Sequence, residues 1–513
     1  MRLSVREDSE LEEEKRVVAS NSLYHFFRFI SKNFIAFIVS IFLVRFLGAT
    51  NYGVFTVATI YWGLFLMLFT FGWANAVQYG IAKYRANNKF GFLDWLVKHY
   101  LKILTLSSIA GSIVMFLLAG PIASAYRSPQ LGSLIEILAV GLVFYALVES
   151  FTTNVFIGYQ KMKYTFLMGV TFDALRLLQG VLVIIGFGLL GVIAFYDVIY
   201  VIITVLALYF IYKLLRLHKV KKELPAPEKD LKEFRKYNVF SYVSNLISYF
   251  YGSAISLFLG IFAPSLASVS FYTVGLQLAT LISMPATSLT AAFFATNTKY
   301  FEKRQYTELY RFLKVLLRYI AMVTIPLAVG GIAAAGPLIT YFYRSALSNS
   351  TIPFIIIIIS MLMTAMFLPL TSFVSAIGKQ KYFMYSSIAG AVVAILATVI
   401  LMPPFLQNGA ALAFFLSSLA ILVTSLYFAS KYIKIILPYS DIAKVTIASL
   451  LMGLFIYFTD RAIPLAFLPW VLIVGVIIYI FIIYIMEVLT KEDISFFLKL
   501  TKLDKFFAKI TNR

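Results

Sequence analysis

The sequence contains no cysteine and only three histidines among its 513 residues. The absence of cysteine excludes disulfide bonds, thiolate metal ligands and cysteine nucleophiles. The histidines His25, His99 and His218 lie far apart and lack the spacing of a metal site. The sequence therefore predicts neither a bound metal nor an organic cofactor.

Charged residues are also scarce. They make up 13% of the chain, whereas soluble domains contain about 25%. Hydrophobic residues make up 61%, and the mean hydropathy is +0.89. These values predict a polytopic membrane protein. The nucleotide-binding pattern Gly-x-x-x-x-Gly-Lys-Ser/Thr does not occur, so the sequence does not predict ATP binding through that loop.

Apolar runs of about 20 residues, the length at which a helix crosses a bilayer, occur fourteen times. We therefore predict an all-α polytopic membrane protein with about fourteen transmembrane helices. The predicted spans are 22–46, 52–77, 101–124, 131–156, 164–188, 191–214, 238–262, 266–293, 313–339, 352–377, 382–402, 409–430, 441–459 and 465–488.

Basic residues are distributed unevenly between the two sides of this predicted map. Most of the 44 Lys and Arg residues fall in the termini and in alternate loops, whereas Arg45, Arg127, Arg344 and Arg461 fall in loops on the other side. By the positive-inside rule, both termini are predicted to be cytoplasmic, in a cell membrane. The net charge of +21 thus reflects topology, and no nucleic-acid partner is predicted.

The two halves of the chain repeat each other at an offset of about 217 residues. Thr56–Val57 aligns with Thr273–Val274, and Leu208–Tyr209–Phe210 aligns with Leu426–Tyr427–Phe428 at an offset of 218. Two parallel six-helix repeats of this kind form two lobes that enclose a site in transporters. The predicted domains are a cytoplasmic N-terminal head (1–20), lobe 1 (21–215), a cytoplasmic linker (216–237), lobe 2 (238–433), spans 13 and 14 (434–489) and a basic amphipathic cytoplasmic tail (490–513).

Short glycine turns connect several of the predicted spans. A Gly-x-x-x-Tyr-Gly turn lies within FLVRFLGATNYGVFTV after the first span, and a Gly…Lys turn occurs in each half. The residues of these turns are Gly48, Tyr52, Gly53, Gly158, Lys161, Gly378 and Lys381. With these turns and two further C-terminal spans, the chain resembles the polysaccharide transporters (oligosaccharide or O-antigen flippases) of the multidrug/oligosaccharidyl-lipid/polysaccharide exporter (MOP) superfamily. The resemblance implies two lobes around a central cavity, and flipping of polyprenyl-diphosphate-linked oligosaccharides.

One face of predicted span 1 is polar. Its residues, at positions i, i+4, i+7 and i+11, are Asn21, His25, Arg28 and Lys32. They line a substrate cavity from the cytoplasmic side, or else the two cations reach back to the inner headgroups. In the repeat, Arg28 aligns with Asn245 and Lys32 with Tyr249. This alignment favours the cavity and adds Asn245 and Tyr249 to its lining.

Asp173 and Arg176 lie in the middle of predicted span 5 and are separated by three residues. Residues at this spacing can pair on one helix face, and charges at such depth are costly. The first interpretation is a packing pair. The second assigns Arg176 to diphosphate or sugar binding and Asp173 to a coupling ion, H⁺ or Na⁺. Glu149 and Asp197 are further candidates for this coupling site, with simple helix–helix bonding as the alternative.

These features predict a flippase that moves a lipid-linked oligosaccharide from the cytoplasmic to the outer leaflet by alternating access, and not an enzyme. The predicted partners are this substrate, anionic inner-leaflet lipids bound through the tail, and glycan polymerases or transferases. One alternative is a drug or cation exporter of the same superfamily, which the cationic face of span 1 argues against. Another is a membrane glycosyltransferase, polymerase or ligase, which generally needs acidic or histidine residues on a sizeable outer loop.

Overall fold

The computed structural model describes residues 2–71, 73–86, 89–216, 228–376 and 379–489. Within these ranges the chain is helical and contains no β-strand. The predicted tail (490–513) and residues 217–227 of the predicted linker lie outside the described residues.

Sixteen α-helices follow one another in the described part of the chain. A π-helical turn, Leu147–Thr152, joins α4 to α5, and short 3₁₀ turns precede α13 and α16. The helices are α1 (Arg2–Thr70), α2 (Trp73–Ala86), α3 (Phe90–Ala125), α4 (Pro129–Ala146), α5 (Thr153–Gly158), α6 (Met162–Ile185), α7 (Gly188–Arg216), α8 (Glu228–Tyr251), α9 (Ala254–Phe262), α10 (Ala267–Glu302), α11 (Tyr306–Ala333), α12 (Ala335–Tyr343), α13 (Thr351–Ala376), α14 (Gln380–Ser430), α15 (Tyr439–Ala462) and α16 (Leu468–Ile485).

Eleven helices of the described residues are long and apolar enough to cross a bilayer, and the pair α8–α9, bent by 42°, raises this number to twelve. Two of the twelve, Ser31–Thr70 and Lys381–Ser430, are 40 and 50 residues long, about twice the length that a bilayer requires. Each contains a backbone break, at Gly48 (φ 80°) and at Leu406 (φ 47°). Each therefore comprises two spans, which gives fourteen candidate spans. The predicted all-α polytopic membrane fold is confirmed.

The break at Gly48 has a simple cause in the sequence. Its φ of 80° and ψ of 170° lie where only glycine is comfortable. The break in α14 follows two consecutive prolines, Pro403 and Pro404, which cannot donate helix hydrogen bonds. The chain then folds back so closely that a Cβ on Gly409 would lie 3.0 Å from the Cα of Met402.

The described chain divides into two compact units. The first comprises Met1–Leu278 and Met384–Ile421. Its helices exchange side-chain hydrogen bonds: Gln179 Nε2 donates to the carbonyl of Val192 at 2.9 Å, and Thr204 Oγ1 donates to that of Phe144 at 3.3 Å. Such bonds between apolar helices help to fix their packing in a membrane.

The second unit comprises Ala279–Phe383 and Leu422–Arg513. Helices α15 and α16, which contain predicted spans 13 and 14, pack against α11. Tyr479 Oη donates to the carbonyl of Met322 at 2.7 Å, and Gly330 brings α11 close to Met452. The last two spans therefore belong to the core of this unit.

The boundaries of these units differ from those of the predicted lobes, because the first unit also includes α8, α9 and part of α14. The lobes therefore stay a prediction from the sequence repeat. One local arrangement does recur at the predicted offset of 218. Tyr164 and Phe210 pack against each other with centroids 4.8 Å apart in the first unit, and Tyr382 and Phe428 with centroids 4.6 Å apart in the second.

Candidate functional site

A buried ion pair joins α1 to the middle of α6. Arg28 Nη1 donates to Asp173 Oδ2 at 2.7 Å, and Ser31 Oγ donates to the same oxygen at 2.8 Å. The Asp173 side chain is only 4% exposed. It lies about 16 Å along α6 from the first residue of that helix, since each residue adds about 1.5 Å. The first unit thus holds a compensated charge pair near the centre of a candidate span.

Gly169 makes room for this pair. It precedes Asp173 by one helical turn, and the Arg28 side chain crosses α6 at the point where any other residue would place its Cβ. A larger residue at this position would collide with the guanidinium group. The spacing Gly-x-x-x-Asp on α6 is therefore what admits Arg28 to its partner.

The expected packing pair between Asp173 and Arg176 is wrong. Residues three apart on a helix are offset by about 60° around its axis. Asp173 faces α1, whereas Arg176 is directed toward α7, where its guanidinium carbon lies 5.8 Å from the centroid of Tyr196. Its buried Nε has no hydrogen-bond partner among the described residues. Arg176 also lies close enough to Tyr52 and Tyr200 to act on them electrostatically.

Beside Arg176 lies a set of packed rings from four helices. Trp62 is at the centre, with its ring 4.2 Å from Tyr145 and 5.1 Å from Tyr200. Its side chain is 1% exposed, and its Nε1 has no hydrogen-bond partner in the described part of the chain. We call this set the aromatic cluster; its members are Trp62, Tyr145, Phe172, Tyr196 and Tyr200.

The other two acidic candidates take different positions. Glu149 lies in the π-helical turn, is exposed, and acts electrostatically on Tyr145 and Tyr200 of the aromatic cluster. Asp197 instead packs directly on Gly141 of α4. No cation of the described residues pairs with Asp197. Neither carboxylate joins Asp173.

The remaining predicted cavity residues lie in different environments. Lys32 is exposed, one turn beyond Arg28, and Asn245 is exposed on α8. Tyr249 is half-buried, near Tyr61 and Tyr126. The side chains of Asn21 and His25 lie outside the described residues.

The Gly-x-x-x-Tyr-Gly turn makes a symmetric contact between the repeats. Ser270 Oγ donates to the carbonyl of Ala49, and Gly53 lies against the carbonyl of Leu266. At the offset of 217, Ala49 corresponds to Leu266 and Gly53 to Ser270. The contact between Ala49 and Ser270 therefore recurs between their counterparts, Leu266 and Gly53. This is the pattern of a two-fold interface.

The other turn residues have structural surroundings of their own. Tyr52 is buried and its Oη lies 3.3 Å from Gln277 Oε1. Gly158 packs against α2, where an added Cβ would lie 2.9 Å from that of Ile81. Lys161 and Lys381 are exposed, and Gly378 lies outside the described residues.

Two residues of the ion-pair site escaped the sequence analysis. Ser31 is one of many serines in the predicted spans, and Gly169 has no polar side chain. The signal for both is weak in the sequence. The hydrogen bond from Ser31 to Asp173, and the space that Gly169 leaves for Arg28, can be recognised only once α1 is placed against α6.

The fold is similar to those of known transporters. It matches a structure of the lipid II flippase MurJ in an inward closed conformation, with a TM-score of 0.72 and 15% identity, over 91% of this chain and 98% of that chain. It also matches an inward-facing multidrug resistance MATE family transporter of the MOP superfamily, with a TM-score of 0.66 and 12% identity, over 78% and 94% of the two chains. A MOP superfamily transporter from Pyrococcus furiosus matches with a TM-score of 0.56 and 13% identity, over 81% and 95%.

These likenesses define the fold, which is that of the multi-pass membrane transporters it matches. Two family models also match. Residues 18–301, more than half of the chain, match the model described as polysaccharide biosynthesis protein, and residues 241–400 match the MatE model. The chain belongs to the polysaccharide biosynthesis protein family. No curated protein matches the sequence.

Proposed function

We propose that this protein flips a polyprenyl-diphosphate-linked oligosaccharide from the cytoplasmic to the outer leaflet of the cell membrane by alternating access. The observation that carries the proposal is the Arg28–Asp173 pair in the middle of a candidate span, beside Arg176 and the aromatic cluster. The family match over residues 18–301 supports a role in polysaccharide biosynthesis.

The diphosphate is recognised by cations. Arg28 uses one nitrogen for Asp173, and a guanidinium group has five N–H donors. The other four donors can therefore bind phosphate oxygens, for which the planar group is well suited. Lys32, exposed one turn away, supplies a second cation. The partly exposed rings of Tyr145, Tyr196 and Tyr249 offer apolar faces and hydroxyls to the sugars.

The driving force is the membrane potential. Moving two negative charges out of a cell with a negative interior gains about 4–5 kcal/mol at about 100 mV. Proton coupling adds to this through Asp197, which no described cation neutralises, whereas Asp173 is already engaged by Arg28 and Ser31. Both termini face the cytoplasm in this scheme.

A second candidate function is export of an organic cation or drug. The match of residues 241–400 to the MatE model favours it, as does the aromatic cluster with Glu149 beside it, since aromatic faces attract cations. The cationic pair Arg28 and Lys32 favours the anionic substrate instead. The two functions differ in the charge of the substrate, so one charge-reversal experiment separates them.

The test reverses the charges of Arg28 and Lys32 together. The variant R28E/K32E, reconstituted in proteoliposomes, is expected to lose flipping of a defined lipid-linked oligosaccharide. The control variant K102E/K303E changes the same charge at two exposed lysines and is expected to keep it. Full flipping by R28E/K32E would rule out the proposed diphosphate site, and a gain of organic-cation transport would favour the second candidate.

A further inference from the structure

Four exposed lysines meet where α14 begins and ends. Lys379 and Lys381 precede or open the helix, and Lys431 and Lys434 follow its last residue. Because α14 folds back at Leu406, its two ends lie together in the second unit. Among the described residues, no carboxylate forms an ion pair with any of these lysines. Within the described part of the chain, their positive charge is therefore not compensated by ion pairs.

Aromatic rings hold two of the ammonium groups in place. Lys431 Nζ lies 4.4 Å from the centroid of Tyr427 and 5.4 Å from that of Phe428. Lys381 Nζ lies 5.2 Å from the centroid of Tyr382. Contacts of this kind orient a cation and remove part of its hydration. Lys381 and Lys431 are thus positioned by ring contacts, although both are exposed.

A pair of hydroxyl groups lies among the lysines. Tyr382 Oη and Tyr432 Oη are 3.3 Å apart. Lys381, Lys431 and Lys379 all act electrostatically on the Tyr382 hydroxyl. Hydroxyl and ammonium groups are donors, so the group that they can surround together is an acceptor with negative charge. We call these six residues the lysine–tyrosine cluster: Lys379, Lys381, Tyr382, Lys431, Tyr432 and Lys434.

The position of the lysine–tyrosine cluster identifies the source of such an anion. Lys381–Ser430 is a candidate membrane segment, and both of its ends lie at the cluster. The ends of spanning helices lie at headgroup depth, where tyrosines concentrate and where basic pockets bind lipid phosphates. We propose that the lysine–tyrosine cluster binds the phosphate group of an anionic phospholipid at this surface of the membrane.

The repeat supplies an internal comparison. At the offset of 218, Lys379, Lys381 and Lys431 correspond to Lys161, Lys163 and Lys213, all exposed in the first unit. A packed aromatic pair is also present there, formed by Tyr164 and Phe210. Tyr432, however, is replaced by Leu214, which is 3% exposed. The first unit has the same lysines without the hydroxyl pair, so the lipid site belongs to the second unit.

The test compares two matched triple variants of the full-length protein. In K379Q/K381Q/K431Q, phosphatidylglycerol that remains bound in native mass spectrometry is expected to fall about tenfold or more relative to wild type. In K161Q/K163Q/K213Q, which removes the same charge at the equivalent positions, a decrease of about twofold or less is expected. Binding of phosphatidylcholine should be the same in all three proteins.

Two further variants separate binding from folding. K379R/K381R/K431R keeps the charge and is expected to keep the bound phosphatidylglycerol, so a folding defect in the glutamine variant cannot imitate the result. Y382F/Y432F keeps every lysine and is expected to lower binding about threefold, the scale of one hydrogen bond. The proposal would be overturned if the two glutamine triple variants lost equal amounts of bound phosphatidylglycerol. It would also be overturned if K379Q/K381Q/K431Q lost none.

Discussion

The ion pair between Arg28 and Asp173 is the central contact of the candidate site. Both charges are largely removed from water, with exposures of 20% and 4%. A buried pair of this kind contributes little net stability, because desolvation offsets attraction, but removing one partner is expensive. In the proposed function, either charge exchanges its partner for a substrate or an ion.

The variant D173N should reveal the energetic cost of removing one partner of the pair. D173N leaves Arg28 charged and unpaired, and we expect a loss of about 3–5 kcal/mol in the free energy of unfolding. The double variant R28M/D173L replaces both charges by apolar groups and should lose much less. Unfolding in detergent measures both. If the single and the double variant were equally unstable, the loss of stability in D173N would not come from an unpaired Arg28 charge.

Gly169 is predicted to act on transport through Arg28. G169A places a methyl group where the Arg28 side chain now lies, so the guanidinium must move and weaken its bond to Asp173. A charge-assisted hydrogen bond is worth about 1.5–3 kcal/mol, so flipping should fall about tenfold or more. G120A is the matched control, because no atom lies within 4 Å of its added Cβ. Equal activity of the two variants would exclude this role.

At the scale of helices, the contact of Ala49 and Gly53 with Leu266 and Ser270 is the feature most directly tied to movement. It joins the start of the second span in each repeat with two-fold pairing of equivalent residues. It also adjoins the two breaks, Gly48 and the turn between α9 and α10. In an alternating-access cycle, such a contact closes one side of the substrate path and must separate once in each turnover.

Engineered disulfides can test whether this contact separates. The chain has no native cysteine, so A49C/S270C introduces a single pair. Its oxidation is expected to stop flipping, and a reductant to restore it. The control pair S112C/A139C lies at the same kind of contact, serine Oγ to alanine carbonyl, between α3 and α4. Oxidation of the control should leave flipping intact. Normal transport by the fully oxidised A49C/S270C protein would show that the contact stays closed.

The helices themselves follow from the sequence to a large extent. Apolar runs, charge alternation and the repeat predict fourteen spans, and Gly48 and the adjacent turn predict the first break. The partner of Asp173 could not be predicted. Spacing within α6 placed Arg176 on a similar face, but the choice between Arg176 and Arg28 depends on how α1 and α6 are rotated against each other. That rotation is set by how the helices pack, and at this point it depends on the space that Gly169 leaves for Arg28.

At the scale of the whole molecule, the chain combines a transporter fold with a strong asymmetry of charge. The net charge is +21, whereas the seven loops predicted to face outward hold only four arginines, one in each of four loops. Positive charge on the side predicted to be cytoplasmic would favour the approach of the proposed anionic headgroup there, and an inside-negative potential would favour its departure outward. The predicted charge distribution thus supports the proposed direction of transport.

The most direct measurement is flipping of a defined polyprenyl-diphosphate oligosaccharide by the wild-type protein in proteoliposomes, under an imposed potential. With the cytoplasmic face negative by about 100 mV, outward movement should be favoured by about 4–5 kcal/mol over zero potential. Reversing the potential should slow it. An absence of flipping at any potential, with transport of an organic cation in its place, would contradict the proposed function.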